Sequence, residues 1–266
     1  WPTHMAGLCS KVLSNFGQKI LRISVVPKKS STTELICVHL RLKENGLQNL
    51  KKNKINKKFV YLISPDKISD ENFYINLALV LSSEKVSFFQ LRLKKETNLN
   101  KLIIGKKIKK ICKKYKVKFL INDDPLLAKK LNADGCHLGQ KDMDVIKAKK
   151  ILKNKIIGIT CHNSITLAYK AIAAGADYLA FGAFYKSKTK IIKYRASLRI
   201  LKSVKKITSL PIVAIGGIKL NNYKKLLLNK ANFLAISGYI WNNKKYKPLE
   251  AIKKLKWNYT QVKLEL

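Results

Sequence analysis

Acidic residues are scarce in this 266-residue chain, which carries 15 Asp and Glu against 55 Lys and Arg and has a formal net charge of +40. A balance this basic suggests nucleic acid, a membrane surface or phosphorylated ligands as binding partners. The lysines, however, are spread along nearly the whole chain rather than gathered into one arm. This distribution favours local patches that bind small phosphates over a dedicated nucleic-acid-binding face.

Paired cysteines and long apolar runs are also missing. The five cysteines are odd in number and show no CxxC spacing, which argues against a metal knuckle or a disulfide framework and favours a reducing compartment. No apolar run approaches the roughly 20 residues that span a bilayer. Residues 1–30 also lack a compact apolar region before a small-residue cleavage site. We therefore expect a cytoplasmic protein without a membrane partner.

The first part of the chain differs in character from the rest. Residues 1–55 contain one short strand-like piece, around residues 35–40, followed by a polar run rich in Lys and Asn. We interpret them as a poorly structured N-terminal extension outside the core, with a functional arm as the alternative. The catalytic domain is then expected at residues 56–258, because regular patterning begins at Lys58.

From Lys58 onward, short β-rich runs alternate with longer segments of helical periodicity. The predicted strands cover residues 58–64, 87–93, 118–122, 134–138, 156–161, 177–184, 211–216 and 232–237. Helices are predicted at residues 98–115, 125–131, 142–152, 164–174, 196–206, 221–228 and 248–255. Asp142, Ser164 and Asn221 are suited to capping the N-termini of three of these helices.

Eight strands that each precede a helix, over about 200 residues, predict an α/β fold of the single (β/α)₈ TIM-barrel type. A doubly wound open sheet is the structural alternative. In a barrel, functional side chains should cluster at the C-terminal ends of the strands. Polar or glycine residues follow seven of the predicted strands in this way. That recurrence favours one functional rim over seven unrelated solvated strand ends.

The stretch FFQLRLK, at residues 88–94, ends a strand with Gln90, Arg92 and Lys94 on one face. Three long polar groups facing a plain apolar core would each lose water without an assured partner. We therefore expect them to meet an anionic group.

Two acids follow the third and fourth predicted strands, in INDDP and HLGQKD. Asp123 and Asp142 could together hold Mg²⁺, which uses few protein oxygens and completes its octahedron with water and phosphate oxygens. The alternative is that Asp123 caps a turn before Pro125 and Asp142 caps its helix. Asp124 has no assigned role.

Two further sets of residues suit phosphate groups. The loop GAFYKSKTK brings Ser187, Thr189 and Lys190 together after the sixth strand, where hydroxyls and a cation would suit a pyrophosphate. Gly217, after the seventh strand, and Ser237 with Gly238, after the eighth, would let backbone N–H groups approach a phosphate closely. The alternative for residues 187–190 is a solvated surface loop without a ligand, and the alternative for the glycines is a tight turn. No Ser/His/Asp or HExxH arrangement assigns chemistry to His137 or His162, which we interpret as hydrogen-bonding partners.

Six spaced motifs carry a family resemblance: QLRLK, INDDP, ADGCHLGQKD, GITCHN, ADYLAFGAFYKSKTK and PIVAIGGI. In this order, across residues 58 to about 245, they resemble the thiamine-phosphate synthase family. The resemblance implies a (β/α)₈ barrel that joins hydroxymethylpyrimidine diphosphate to a thiazole phosphate, releases pyrophosphate and uses Mg²⁺ as cofactor. The expected partners are these two small phosphorylated substrates, without a specific nucleic acid. A homo-oligomer is compatible with the sequence.

The resemblance also implies a role for each motif residue. Gln90, Arg92, Lys94 and Asn122 would bind the diphosphate, and Asp123 and Asp142 would coordinate Mg²⁺. Lys190, with Thr189 and Ser187, would bind phosphate oxygens near the reacting centre, and Thr160, where the family usually has Ser, would bond the leaving group or the pyrimidine. Gly217, Ser237 and Gly238 would hold the thiazole phosphate. The residues expected to act in catalysis are Lys190, Arg92 and Thr160.

The sequence departs from the family pattern at four positions. Asp124 stands where Arg is usual, Lys186 where Pro is usual, Lys141 where an acid is common and Gly238 where Ser is frequent. A related thiazole tautomerase, which transfers a proton without Mg²⁺ or a diphosphate, is the nearest alternative function. A non-catalytic basic nucleic-acid-binding protein is the alternative from a different class.

Overall fold

The strands of this chain form a closed parallel barrel. A computed structural model describes residues 58–186 and 194–257, so the predicted extension at residues 1–55 lies outside the described residues and the domain boundaries stay a prediction. The strands are β1 Val60–Ile63, β2 Val86–Leu91, β3 Lys118–Asn122, β4 Gly135–Leu138, β5 Ile156–His162, β6 Tyr178–Gly182, β7 Ile212–Ile215 and β8 Phe233–Ile236. Each pairs with the next in sequence, and β8 pairs with β1. The (β/α)₈ prediction is confirmed, and the open sheet is excluded.

Helices connect the strands around the outside. In chain order they are α1 Glu71–Leu81, α2 Asn98–Lys114, α3 Pro125–Lys130, α4 Val145–Leu152, α5 Ile165–Ala173, α6 Leu198–Lys205, α7 Tyr223–Leu228, α8 Gly238–Trp241 and α9 Pro248–Lys254. Helices α1 and the short α8 lie outside the ranges predicted from the sequence. None of the helices in the described part of the chain combines the length and the apolar character that crossing a bilayer requires.

Helix capping agrees with the sequence at one of three positions. The Ser164 hydroxyl accepts the Leu167 N–H at 3.2 Å and caps α5, as predicted. Asp142 does not cap α4; Asp144 does, since its carboxylate accepts the Lys147 N–H at 2.9 Å. The N-cap position of α7 is occupied by Asn222 rather than by Asn221. Both errors arise because a residue of the same type, one or two positions further on, offers equivalent capping chemistry.

The strand side chains alternate between two apolar layers. In β1, Val60 and Leu62 pack against the helices, whereas Tyr61 and Ile63 pack inside the barrel. Leu120, Ala180 and Val213 join them in the interior. Burial on both faces explains why the strands are almost continuously apolar in sequence. It also means that polar side chains on the inner face can reach water only near the ends of the barrel.

Candidate active site

The C-terminal ends of β2 and β3 place two amide side chains in direct contact. Gln90, the penultimate residue of β2, is 2% exposed and donates from Nε2 to Oδ1 of Asn122 at 2.8 Å. Neighbouring parallel strands end at the same rim, so residues distant in sequence become neighbours there. Gln90 and Asn122 were both expected to bind the diphosphate, and in the structure their side chains are in contact.

The two cations that follow β2 meet carboxylates. The Arg92 guanidinium donates to Asp66 at 2.6 Å, and the Lys94 ammonium lies 3.1 Å from the Asp123 carboxylate. The Arg92 side chain is 23% exposed, which leaves it accessible from the rim. Two of the three polar groups of FFQLRLK therefore have anionic partners within the protein, whereas Gln90 contacts the neutral Asn122 amide. Sequence reasoning missed Asp66, which lies after β1 in a segment without a motif.

Asp123 and Asp142 lie close together at the ends of β3 and β4. The Asp123 N–H donates to the His137 carbonyl at 2.8 Å, and the Asp142 carboxylate accepts the Gly139 N–H at 2.7 Å. Partial burial raises the pKa of Asp142, and the nearby Asp123 carboxylate raises it further, against the lowering effects of the Gly139 N–H and Lys94. A carboxyl whose ionisation is disfavoured, as that of Asp142 is, would be stabilised in its charged form by a cation at this site.

Asp124 has a structural role at the same loop. Its carboxylate accepts the Leu127 N–H at 2.8 Å and caps α3, with Pro125 at the first helical position. The turn-capping role considered for Asp123 therefore belongs to Asp124. This contact accounts for an acid where the family usually has Arg, because the short carboxylate serves the helix rather than the rim.

Thr160 on β5 is the outer member of a polar chain that enters the barrel. Its hydroxyl lies 2.9 Å from His137 Nε2, and His137 Nδ1 lies 2.8 Å from the Tyr178 hydroxyl. The Tyr178 hydroxyl in turn lies 2.8 Å from that of Tyr61. The Thr160 carbonyl accepts from Gln140 Nε2 at 2.5 Å. Sequence reasoning left His137 as a bonding partner and overlooked both tyrosines, whose only sequence signal is a hydroxyl within an otherwise apolar strand.

The glycines after β7 adopt backbone conformations that favour glycine. Gly216 has φ +107° and Gly217 has φ +61°. A Cβ on Gly217 would lie 2.3 Å from the Lys186 carbonyl oxygen, so a side chain there would collide with the segment that follows β6. The Tyr185 N–H donates to the Gly216 carbonyl at 3.1 Å and holds that segment against the turn. The glycine pair thus fixes the position of the loop entry.

The end of β8 lies beside β7 and β1. The Ser237 hydroxyl donates to the Ser64 carbonyl at 3.0 Å, and Gly238 begins α8. Gly217, Ser237 and Gly238 therefore follow two neighbouring strands at the same rim. The Ser237 side chain contacts the backbone after β1.

The predicted residues Ser187, Thr189 and Lys190 lie outside the described residues, and their roles stay predictions. The described chain on either side of them is tied together by two backbone hydrogen bonds. The Ala183 N–H donates to the Tyr194 carbonyl at 3.1 Å, and the Ala196 N–H donates to the Ala183 carbonyl at 3.0 Å. The peptide bond between Gly182 and Ala183 is cis. Both flanks of residues 187–193 are thus anchored at the end of β6.

Known proteins resemble this chain over the whole barrel. A thiamine-phosphate synthase of Pelagibacter ubique is 87% identical over 207 residues, which are 78% of this chain and 100% of that protein. A thiamine-phosphate synthase of Nitrosomonas eutropha is 38% identical over 184 residues, which are 69% of this chain and 86% of that protein.

A solved structure and a family model agree with these relatives. The thiamine phosphate pyrophosphorylase from Pyrococcus furiosus superposes with a TM-score of 0.65 at 27% sequence identity, covering 79% of this chain and 97% of that chain. The family model described as thiamine monophosphate synthase matches residues 60–240, which span all eight strands. The chain belongs to the thiamine monophosphate synthase family.

Proposed function

We propose that this chain condenses hydroxymethylpyrimidine diphosphate with hydroxyethylthiazole phosphate, giving thiamine phosphate and pyrophosphate. The observation that carries the proposal is the rim between β2 and β4, where Arg92 and Lys94 lie near the carboxylate pair of Asp123 and Asp142. Such a mixed set of cations and acids suits a diphosphate bound with a divalent metal ion. The relatives named for this reaction support the same assignment.

The diphosphate would bind at the ends of β2 and β3. Gln90 and Asn122 offer amide groups, and Arg92 and Lys94 offer charge-assisted donors. Both cations already pair with carboxylates, at 2.6 Å from Asp66 and 3.1 Å from Asp123. A bound diphosphate would therefore replace Asp66 and Asp123 as the partner of these two cations. Before the substrate binds, the two carboxylates compensate the positive charges.

Asp123 and Asp142 would hold Mg²⁺. Within residues 58–186 and 194–257, no group of three or more His, Cys, Asp or Glu is placed to bind a metal ion. Mg²⁺ commonly binds through only one or two carboxylates plus water and substrate phosphates, so the pair fits this ion. The raised pKa of Asp142 beside Asp123 supports the fit, because a cation would relieve their repulsion. When bound, Mg²⁺ would neutralise charge on the diphosphate.

The chemical step would be a dissociative displacement. The carbon–oxygen bond to the diphosphate breaks, pyrophosphate leaves with the electron pair, and the thiazole nitrogen captures the pyrimidine cation. Arg92 and Lys94 would stabilise the negative charge that develops on the leaving group. Lys190, which is not among the described residues, is predicted to contribute in the same way. Thr160 would donate a hydrogen bond to the leaving group or the pyrimidine. This chemistry requires no covalent nucleophile.

The second substrate would bind on the opposite side of the rim. Gly217, Ser237 and Gly238 follow β7 and β8, where backbone N–H groups often bind phosphate in this fold. Ser187 and Thr189 would bind phosphate oxygens near the reacting centre. We further propose a cytoplasmic location, consistent with the odd number of cysteines, and leave self-association into a homo-oligomer as a prediction.

The thiazole tautomerase alternative is less well supported. A tautomerase transfers a proton on a monophosphate and would not need the two cations and two acids that lie at this rim. A nucleic-acid-binding role would need basic residues interleaved with aromatic ones on one face, a pattern that the sequence does not show.

Product formation tests the proposal directly. The full chain is incubated with both precursors and Mg²⁺, and thiamine phosphate is quantified by chromatography. Asp142→Asn should lower kcat by about 100-fold at limiting Mg²⁺. Asp144→Asn is the matched control, because it makes the same chemical change two residues away at the cap of α4 and should leave kcat unaltered.

Two outcomes would reject parts of the proposal. Absence of thiamine phosphate from correctly folded chain, with Mg²⁺ present, would reject the reaction. Equal rates for Asp142→Asn, Asp123→Asn and Asp144→Asn at limiting Mg²⁺ would reject the metal assignment alone. Circular dichroism of each variant shows whether the barrel has folded.

A further inference from the structure

A chain of hydrogen-bonding groups runs from the barrel interior to the rim. It links Tyr61 on β1, Tyr178 on β6, His137 on β4 and Thr160 on β5 through contacts of 2.8, 2.8 and 2.9 Å. Tyr61, Tyr178 and His137 are 2%, 3% and 9% exposed, so most of the chain is shielded from water. Four strands thus contribute to one continuous connection.

The number of hydrogens restricts how these groups can pair. Burial raises the pKa of Tyr61 and of Tyr178 above the usual value, so both phenols keep their hydrogen. With a neutral imidazole and the Thr160 hydroxyl, the chain contains four mobile hydrogens for three hydrogen bonds. If all three bonds are made, one hydrogen is therefore left over, and it lies on Tyr61, on Tyr178 or on Thr160.

The two buried tyrosines are poor places for that hydrogen. Tyr61 and Tyr178 are both packed among the apolar interior side chains, including Ile63, Leu120 and Ala235. Among the described residues, Tyr178 supplies the only hydrogen-bond partner of the Tyr61 hydroxyl. An unpaired donor in such surroundings is costly, whereas a donor at the rim can reach water or a ligand.

We infer the bond directions from this difference. Tyr61 would donate to Tyr178, Tyr178 to Nδ1 of His137, and Nε2–H of His137 to Oγ1 of Thr160. The Thr160 hydroxyl then accepts from inside and keeps its own hydrogen for a group outside the chain. The reverse direction would turn Thr160 toward His137 and remove its hydrogen from the rim.

We propose that Tyr61, Tyr178 and His137 are positioning residues that hold the Thr160 hydroxyl as a hydrogen-bond donor toward the bound substrate. A diphosphate oxygen accepts hydrogen bonds and cannot donate them when ionised, so a fixed donor suits the departing group. The identity of the acceptor rests on the proposed function. The direction of the hydrogen bonds does not, because it follows from the buried groups alone.

The ¹⁵N spectrum of the histidine ring tests the direction without any substrate. In the ¹⁵N-labelled full-length protein, the His137 ring signals are assigned by their loss in His137→Gln. The protonated nitrogen is then identified from its ¹⁵N chemical shift. We expect a neutral ring with the hydrogen on Nε2 and none on Nδ1. A neutral ring with the hydrogen on Nδ1, or an imidazolium at neutral pH, would overturn the proposal even if the enzyme makes thiamine phosphate.

A double-mutant cycle tests whether the chain acts through Thr160. Tyr178→Phe removes the hydroxyl that fixes His137 and should lower kcat by about 10-fold, with the KM for the thiazole phosphate unaltered. Thr160→Val removes the final donor while keeping the side-chain shape. In the Thr160→Val background, Tyr178→Phe should then cause no further loss of kcat.

The same cycle separates a positioning role from a structural one. Multiplicative losses in the double variant would show that Tyr178 acts independently of Thr160 and would overturn the proposal. Thr160→Ser, which keeps a hydroxyl, should retain the sensitivity to Tyr178→Phe. If Tyr178→Phe does not fold, the ¹⁵N measurement on the unsubstituted chain still decides the direction of the hydrogen bonds.

Discussion

Gly158 provides the space that the Tyr178 ring occupies inside the barrel. A Cβ on Gly158 would lie 1.8 Å from Cζ of Tyr178 and 2.2 Å from both Cε atoms, far inside the 3.4 Å at which ordinary contact begins. The ring would have to retreat by about 1.6 Å from the added methyl group. Its hydroxyl makes contacts of 2.8 Å to both Tyr61 and His137, so a shift of this size would break both.

The expected loss of stability for Gly158→Ala is large. Overpacking costs about 1–3 kcal/mol, and each buried polar group left unpaired costs about 1–3 kcal/mol. With Tyr61 and His137 both left unpaired, we expect a decrease of about 3–9 kcal/mol in the free energy of unfolding, a substantial share of the roughly 5–15 kcal/mol of a typical domain. Urea unfolding followed by circular dichroism and tryptophan fluorescence measures this change.

Two comparisons make the prediction specific. Gly175→Ala is a control without a clash, because Gly175 has φ +82° and nothing within 4 Å of an added Cβ; backbone strain alone should cost about 1–2 kcal/mol. In a Tyr178→Leu background the clashing ring atoms are gone, so Gly158→Ala should cost less than about 1 kcal/mol. Equal costs of Gly158→Ala with and without the Tyr178 ring would refute the reasoning.

Three further predictions concern the acids of the rim. Asp124→Ala removes the cap of α3 and should lower stability by about 1 kcal/mol without changing kcat; a thermal melt and an activity assay check both, and a large loss of kcat would return Asp124 to the site. The raised pKa of Asp142 means that its carboxyl stays protonated to higher pH than a free Asp, so Mg²⁺ affinity should fall as pH drops through that pKa. In Asp123→Asn this fall should occur at lower pH, because a cause of the raised pKa is removed; calorimetric Mg²⁺ titrations across pH show whether the midpoint moves. Asp66→Asn frees Arg92 from an ion pair whose acid is 62% exposed, so stability should change by less than about 1 kcal/mol while pyrophosphate binds more tightly; unchanged or weaker binding would argue against competition for Arg92.

The strand pattern could be read from the sequence because it depends on local composition. All eight predicted strands overlap the observed ones, and the predicted range 118–122 coincides with β3. Parallel strands buried on both faces give continuous apolar runs, which turn residues interrupt clearly. The alignment of polar residues at strand ends followed from the barrel, since closure brings successive strand ends to one rim.

Long-range pairings could not be read in the same way. The hydroxyls of Tyr61 and Tyr178 meet across 117 positions of sequence, and a tyrosine in an apolar strand gives no sign of which side chain it faces. Asp66 likewise pairs with Arg92 because β1 and β2 are neighbours, not because of any spacing. The choice between Asp142 and Asp144 as the cap of α4 depended on where the backbone enters the helix, which equivalent residues do not reveal.

Pyrophosphate binding as a function of Mg²⁺ tests the central claim most directly, because it probes the metal pair and the cations together. Calorimetric titration of the full chain should show that Mg²⁺ tightens pyrophosphate binding at least about 10-fold, and that Asp142→Asn abolishes this coupling while Asp144→Asn preserves it. Pyrophosphate affinity that is independent of Mg²⁺, or coupling that survives in Asp142→Asn, would contradict a rim in which Arg92, Lys94, Asp123 and Asp142 act on one diphosphate.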